Sequence, residues 1–140
     1  MRDLFNNIYP KRAISPVSVS DNTPQVSQII DRAGHHSLTF LIALGSIADA
    51  DATFAVTVEH GDDSGLSDTA AVSASDLIGT TTLAGFQYDS DNACRKLGYK
   101  GIKRYVRLTI TPTGNASAAL MSVIALLGHP GAGPTANPPV

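Results

Sequence analysis

The clearest alternation of apolar and polar positions lies in KGIKRYVRLTITPTGNASAALMSVIALLGHP, residues 100–130. Over 104–111 the period is two: Val106, Leu108 and Ile110 point one way, Tyr105, Arg107, Thr109 and Thr111 the other. Pro112-Thr-Gly-Asn115 supplies a turn. Residues 118–127 follow as a second strand, because the hairpin turn, the length and Val123-Ile124 outweigh a helix-compatible composition. This strand is apolar on both faces, with Leu120, Ile124 and Leu126 on one and Met121, Val123 and Leu127 on the other. Antiparallel sheets commonly leave one face in water. A strand without a polar side is covered either by its own chain or by a partner.

The same period recurs upstream. Leu38, Phe40, Ile42 and Leu44 share a face in 37–44, which Gly45 is expected to close, and Phe54, Val56 and Val58 share one in 53–60. Residues 26–31 read as a short strand, 83–88 as a β-rich segment and 93–100 as a basic loop or short strand. HGDDSGLSD, 60–68, is a turn-rich loop, and Ser73-Ala-Ser-Asp76 resembles a capping box opening one helical turn that Gly79 ends. Pro10, Pro16 and Pro24 interrupt residues 1–24, which read as an N-terminal arm. Within it Leu4, Phe5, Ile8 and Tyr9 fall on one side of a helical turn, as a segment able to dock on a neighbouring chain. From Gly128 onward four prolines and three glycines in thirteen residues make an extended tail. The division is therefore an arm over 1–24, a β domain over 25–129 and a tail over 130–140. The fold class is all-β: an antiparallel sandwich with extended arms, a jelly roll with an immunoglobulin-like sandwich as the alternative.

Composition sharpens this. Only 16% of the 140 residues are charged, against roughly 25% in ordinary soluble domains, so part of the surface is expected to be covered by something else. The net charge of −2 gives no global attraction to nucleic acid or an anionic membrane, but its distribution is uneven. Nine acids and no Lys or Arg lie between Arg32 and Arg95, and six of the ten basic residues crowd into 95–107. Lys103, Arg104 and Arg107 are thus candidates to meet an acidic neighbour, and the apolar Met121, Val123 and Leu127 to meet a partner.

Site chemistry is thin. The lone Cys94 allows no intrachain disulfide, and its neighbours Arg95 and Lys96 come without a histidine motif. His35, His36, His60 and His129 lack the close-spaced pairs of a zinc site. The acids of 62–68 lack the alternation and distal Glu of a calcium loop. Ser64 lies in DSG rather than a nucleophile elbow, and no phosphate-binding glycine loop occurs. Asn115-Ala-Ser117 is formally a glycosylation sequon in a turn. No catalytic residue, metal or cofactor is expected, so an enzyme is disfavoured. No apolar run suits a secretory signal or a membrane-spanning helix, which points to a cytosolic pool.

FAVTVEHGDDSGLSD, SASDLIGTT and GYKGIKRYVRLTITPTGNASAALMSVIALLGHP, set in a sandwich, resemble the capsid cement, or decoration, proteins of tailed bacteriophages. The resemblance spans roughly residues 26–130 and rests on turns and strand alternation. It implies a jelly-roll homodimer on the outer capsid surface of the virion, clamping adjacent major capsid subunits, with no catalytic residues, no nucleic acid and no membrane. Another phage role, in the tail or in head completion, and a carbohydrate-binding β-sandwich stand as alternatives.

Overall fold

The structure is a computed structural model, described here for residues 2–139. Eleven strands run through it: β1 (Ile8–Val19), β2 (Gln25–Val26), β3 (Ile30–Asp31), β4 (His35–Ile47), β5 (Thr53–Gly61), β6 (Ala70–Ala71), β7 (Leu77–Ile78), β8 (Phe86–Gln87), β9 (Cys94–Tyr99), β10 (Tyr105–Thr113) and β11 (Ala119–Pro130). One short helix, α1 (Thr81–Ala84), and two 3₁₀ turns (Phe5–Asn7 and Ala74–Asp76) complete it. The strands form two antiparallel sheets. Sheet I has the order β1-β11-β4-β9-β7, and sheet II the order β2-β10-β5-β6, with β3 also on β10 and β8 also on β5. The protein is an all-β sandwich.

The core follows from the period of two. Leu38, Phe40 and Ile42 of β4 with Val123, Ala125 and Leu127 of β11 form the inner face of sheet I. Phe54, Val56 and Val58 of β5 with Val106, Leu108 and Ile110 of β10 form that of sheet II. Residues directly opposite across an antiparallel pair point to the same side, and the registers Leu108↔Val58 and Val123↔Ile42 carry each apolar row across its sheet. Phe54 and Phe86 stack at 4.7 Å where β8 closes one end.

Several expectations are corrected. The segment 8–19 is no loose arm but a full edge strand, paired with β11 from Ile8↔Gly128 to Val19↔Ala119. Tyr9, Ala13, Ile14 and Val19 lie in the core. The prolines do not prevent this, because β1 has a partner on one side only: Pro10 sits at the edge and Pro16 inside a register shift between Ile14 and Val17. Ile8 and Tyr9 therefore belong to a strand rather than sharing a helical turn with Leu4 and Phe5. Gly45 does not end β4. A Cβ there would lie 2.8 Å from the Leu120 Cβ, so glycine makes room for Leu120 at the register shift between β11 and β4, and β4 runs on to Ile47. The capping box of 73–76 is a 3₁₀ turn without a side-chain cap; Thr80 caps α1 instead, accepting from the Leu83 amide at 3.0 Å.

The tail past Pro130 adds no strand but is tied down. The Thr135 hydroxyl donates to the Ile8 carbonyl at 2.6 Å, the Thr135 amide to the Asn6 carbonyl at 3.0 Å and the Gly131 amide to the Gly34 carbonyl at 2.9 Å. Met1 of the expected arm and Val140 of the expected tail lie outside the described residues. Among those residues no helix is long and apolar enough to cross a membrane.

Candidate interaction surface

The basic residues leading into the β10–β11 hairpin are occupied within the chain. Lys103 Nζ lies 2.6 Å from Asp62 Oδ2, and Arg104 grips Asp31 with two bonds of 2.8 and 3.0 Å. Arg107 Nη2 meets Glu59 Oε2 at 2.6 Å, directly across β10 and β5 where the two residues are in register. As candidate partner contacts these three cations are corrected: the acids that neutralise them come from this chain. They are positioned by the outward parity of β10 and by the 99–104 loop. Below that loop Tyr99 is buried, its hydroxyl 2.7 Å from His60 Nδ1 and accepting from the Lys103 amide at 3.2 Å. The Arg32 guanidinium lies 5.0 Å from the centre of its ring. Burial pushes the Tyr99 phenol up from its ordinary value. A Cβ at Gly101 would fall 2.5 Å from that hydroxyl, so the loop needs glycine there.

Two of these carboxylates are held below their ordinary values, Asp31 chiefly by the Arg104 hydrogen bond and Asp62 by that of Lys103. Asp49 is lowered to about 2 by the amides of Asp51 and Ala116. Asp51 is raised in turn by its neighbour Asp49. A folded value below the unfolded one, about 3.9, contributes stability above that value and loses it as pH falls through the folded one. The urea midpoint is therefore expected to hold from pH 7 to 5 and to drop between about pH 4 and 2. An unchanged midpoint at pH 2 would refute this.

The strand β11 is correctly read as apolar on both faces, but the available face is the opposite one. Met121, Val123 and Leu127 are buried in the sandwich and cannot touch a partner. Leu120 and Ile124, 43% and 46% exposed, stand on the outer face of sheet I with half-buried Leu126. In register beside them on β4 are Thr39, Leu41 (37% exposed) and Ala43, and beyond, on β9, Gly98, Lys96 and Cys94. Ile78 of β7, opposite Gly98, extends the apolar surface to the edge. A groove of about 490 Å3 runs along Leu41, Ala43, Cys94, Lys96, Ser122 and Ile124. Another, of about 390 Å3, passes Pro16, Gly45 and Leu120. At the far end Leu4 and Ile8 line a third with Leu126 and His129. Leu4 and Phe5 are thus exposed at the rim of this face and Ile8 is half-buried on it. Tyr9 is turned inward, 5.5 Å from the His35 ring.

The remaining chemistry stays dispersed. Among the described residues no group of three His, Cys, Asp or Glu side chains could hold a metal ion. The Asp68 and Asp63 carboxylates accept the amides of Asp62, Asp63, Gly65 and Ser67, so they shape their loop. Asn115 is buried, its amide donating to the carbonyls of Val19 and Asp21, which closes the sequon to a glycan. An open depression of about 520 Å3 beside Phe86 brings Gln87, Asp89, Ser90 and Arg95 to its wall. Of the tyrosines, Tyr9 and Tyr99 are buried and Tyr105 lies under Arg104, which leaves Tyr88 exposed without a flanking tyrosine platform.

No protein-family model and no curated protein matches this chain. Among solved structures it is similar to dimeric latent PorU from Porphyromonas gingivalis, at 11% identity and a TM-score of 0.45 over 89% of this chain. It is similar also to the CBM22-1–GH10 modules of Clostridium thermocellum xylanase 10B, crystallised with xylohexaose, at 12% identity and a TM-score of 0.43 over 95% of this chain. The chain spans 13% and 28% of the lengths of those two chains. At such identities, and with TM-scores below 0.5, neither likeness assigns an architecture or a role to this chain.

Proposed function

We propose that this chain is a structural virion protein of the cement or decoration type, which binds the outer surface of a phage head and clamps adjacent major capsid subunits without catalysing a reaction. The observation that carries the reading is the outer face of sheet I, where β11 and β4 leave Leu41, Leu120 and Ile124 in solvent. A contiguous exposed apolar surface on a small protein marks a contact with another molecule. The sequence resemblance of residues 26–130 to phage cement proteins supports the same reading. So does the connectivity: in chain order the strands cross repeatedly between the sheets (β1 in I, β2 and β3 in II, β4 in I, β5 and β6 in II, β7 in I, β8 in II, β9 in I, β10 in II, β11 in I), which favours a jelly roll over an immunoglobulin-like sandwich. The chain acts as a homodimer assembled in the host cytoplasm, its two copies related by the commonest symmetry of protein oligomers. Apolar contact contributes roughly 25 cal/mol per Å2, less the cost of association, and repetition over a symmetric shell links many such contacts.

The test is cosedimentation. Purified chain mixed with expanded heads that lack it should pellet with them at near-stoichiometric copy number and raise the temperature at which the heads disrupt. A chain that stays in the supernatant overturns the reading.

A further inference from the structure

Charge on the outer face of sheet I is one-sided. None of β1, β4, β7, β9 and β11 contains an Asp or Glu. Across the sheet the register aligns Arg12, Ile124, Leu41 and Lys96 in one row, two apolar side chains between two cations. Arg12 donates to the Ser15 hydroxyl at 2.6 Å, and among the described residues neither Arg12 nor Lys96 has a carboxylate within ion-pair distance. The carboxylates at the two ends of the face are engaged with backbone, Asp3 accepting the Asn6 amide and Asp91 the Ile47 amide. The cations at 103, 104 and 107 are neutralised by their own chain, so Arg12 and Lys96 keep their charge for another molecule.

We propose that the outer face of sheet I docks a partner protein whose surface presents an apolar ridge flanked by carboxylates, the ridge lying in the groove between Ile124, Leu41 and Cys94. The inference rests on the decoration-protein reading and deepens it, by naming the face used and the chemistry of the capsid surface that fits it. A second copy is the wrong occupant. Face-to-face packing about a two-fold axis along the strands sets Arg12 over Lys96, and about an axis across them sets each cation over its twin; neither brings a carboxylate to the rim. Single-stranded nucleic acid is also excluded, because the row offers no ring on which a base can stack. The size suits a protein. Three strands of about a dozen residues, each residue rising about 3.3 Å and the strands about 4.8 Å apart, give roughly 600 Å2 of face, near the roughly 800 Å2 per partner of a standard interface.

The experiment uses the full chain and four variants: Ile124→Asp, Leu41→Asp, Lys96→Glu and, as control, Lys103→Ala. On expanded heads, the two aspartate variants should lose at least about 30-fold in affinity, equivalent to about 2 kcal/mol. Lys96→Glu should lose about tenfold and flatten the salt dependence, while Lys103→Ala should bind as the parent does. If the parent binds heads and Ile124→Asp binds equally well, the inference falls and the decoration reading stands. If the parent does not bind heads, that reading falls, and the face is judged with 8-anilinonaphthalene-1-sulfonate, a small apolar anion. Its fluorescence should rise with the folded parent, shift the amides of β4, β9 and β11, and be lost in Ile124→Asp. No enhancement, or equal enhancement in that variant, overturns the proposal. It is overturned as well by a dimer in sedimentation that Ile124→Asp dissociates, or by flotation with phosphatidylglycerol–phosphatidylcholine vesicles that the same change abolishes.

Discussion

A chain lacking residues 1–16 is expected to lose most of its stability, rather than to behave as the same sandwich with an arm trimmed. The deletion removes Tyr9, Ala13 and Ile14 from the core and strips β11 of its outer neighbour over Ile8↔Gly128 to Ile14↔Val123. Burying a large apolar side chain contributes about 1.5–3 kcal/mol, so Tyr9 and Ile14 alone account for about 3–6 kcal/mol. A domain of this kind holds only about 5–15 kcal/mol in total. The uncovered edge of β11 would also offer a free ladder for strand pairing between molecules. Urea titration should show a midpoint lowered by at least half, or aggregation before it can be measured. By contrast Leu4→Ala and Phe5→Ala, at exposed positions ahead of β1, should leave the midpoint within about 0.5 kcal/mol of the parent. A deletion that unfolds at the parent's midpoint would contradict the placement of β1 in the core. The same logic bears on assembly: head binding lost on removing 1–16 would report unfolding, so the contact has to be probed by single exposed residues.

What the sequence made legible, and what it hid, divides along a physical line. Alternation within one strand is a local signal, and β4, β5 and β10 were readable from it because each carries a run of period two, whereas β11 was readable from the preceding turn, its length and Val123-Ile124. Whether a strand is interior or at an edge is not local. Pro10 and Pro16 would be costly in a central strand but are tolerated in β1, which donates to one neighbour only, and this made an integral strand look like an arm. The choice of face on β11 was equally hidden. Both its faces are built of Leu, Ile, Val and Met, so only the pairing of Val123 with Ile42 decides which row turns inward. The ion pairs Arg107–Glu59, Arg104–Asp31 and Lys103–Asp62 join residues 41 or more positions apart. A charge map along the chain therefore showed an acidic stretch and a basic one where the fold brings the two together. The row from Arg12 to Lys96 draws on four strands and becomes visible only once their registers are set.

That parity supplies the sharpest contrast available in this molecule. Val123 and Ile124 are adjacent on β11, yet one is 1% and the other 46% exposed. Val123→Asp places a carboxylate opposite Ile42, between the buried Met121 and Ala125 of the same row, where it finds no cation and must either be buried charged or take up a proton. Loss of the apolar contact together with an unpaired polar group is expected to cost at least about 4 kcal/mol, enough to leave the variant largely unfolded at 37 °C. Ile124→Asp keeps its side chain in water between Arg12 and Leu41, so its cost is confined to the lower strand preference of aspartate, about 1 kcal/mol, offset in part by the nearby guanidinium. Far-UV circular dichroism and urea midpoints read the two outcomes directly. Equal destabilisation at the two positions would mean that the outer row of β11 is covered by its own chain, and the surface on which a partner could settle would not exist. A folded Ile124→Asp beside an unfolded Val123→Asp instead leaves a protein whose core is intact and whose exposed face alone has changed, the condition under which any loss of partner binding can be assigned to contact rather than to folding.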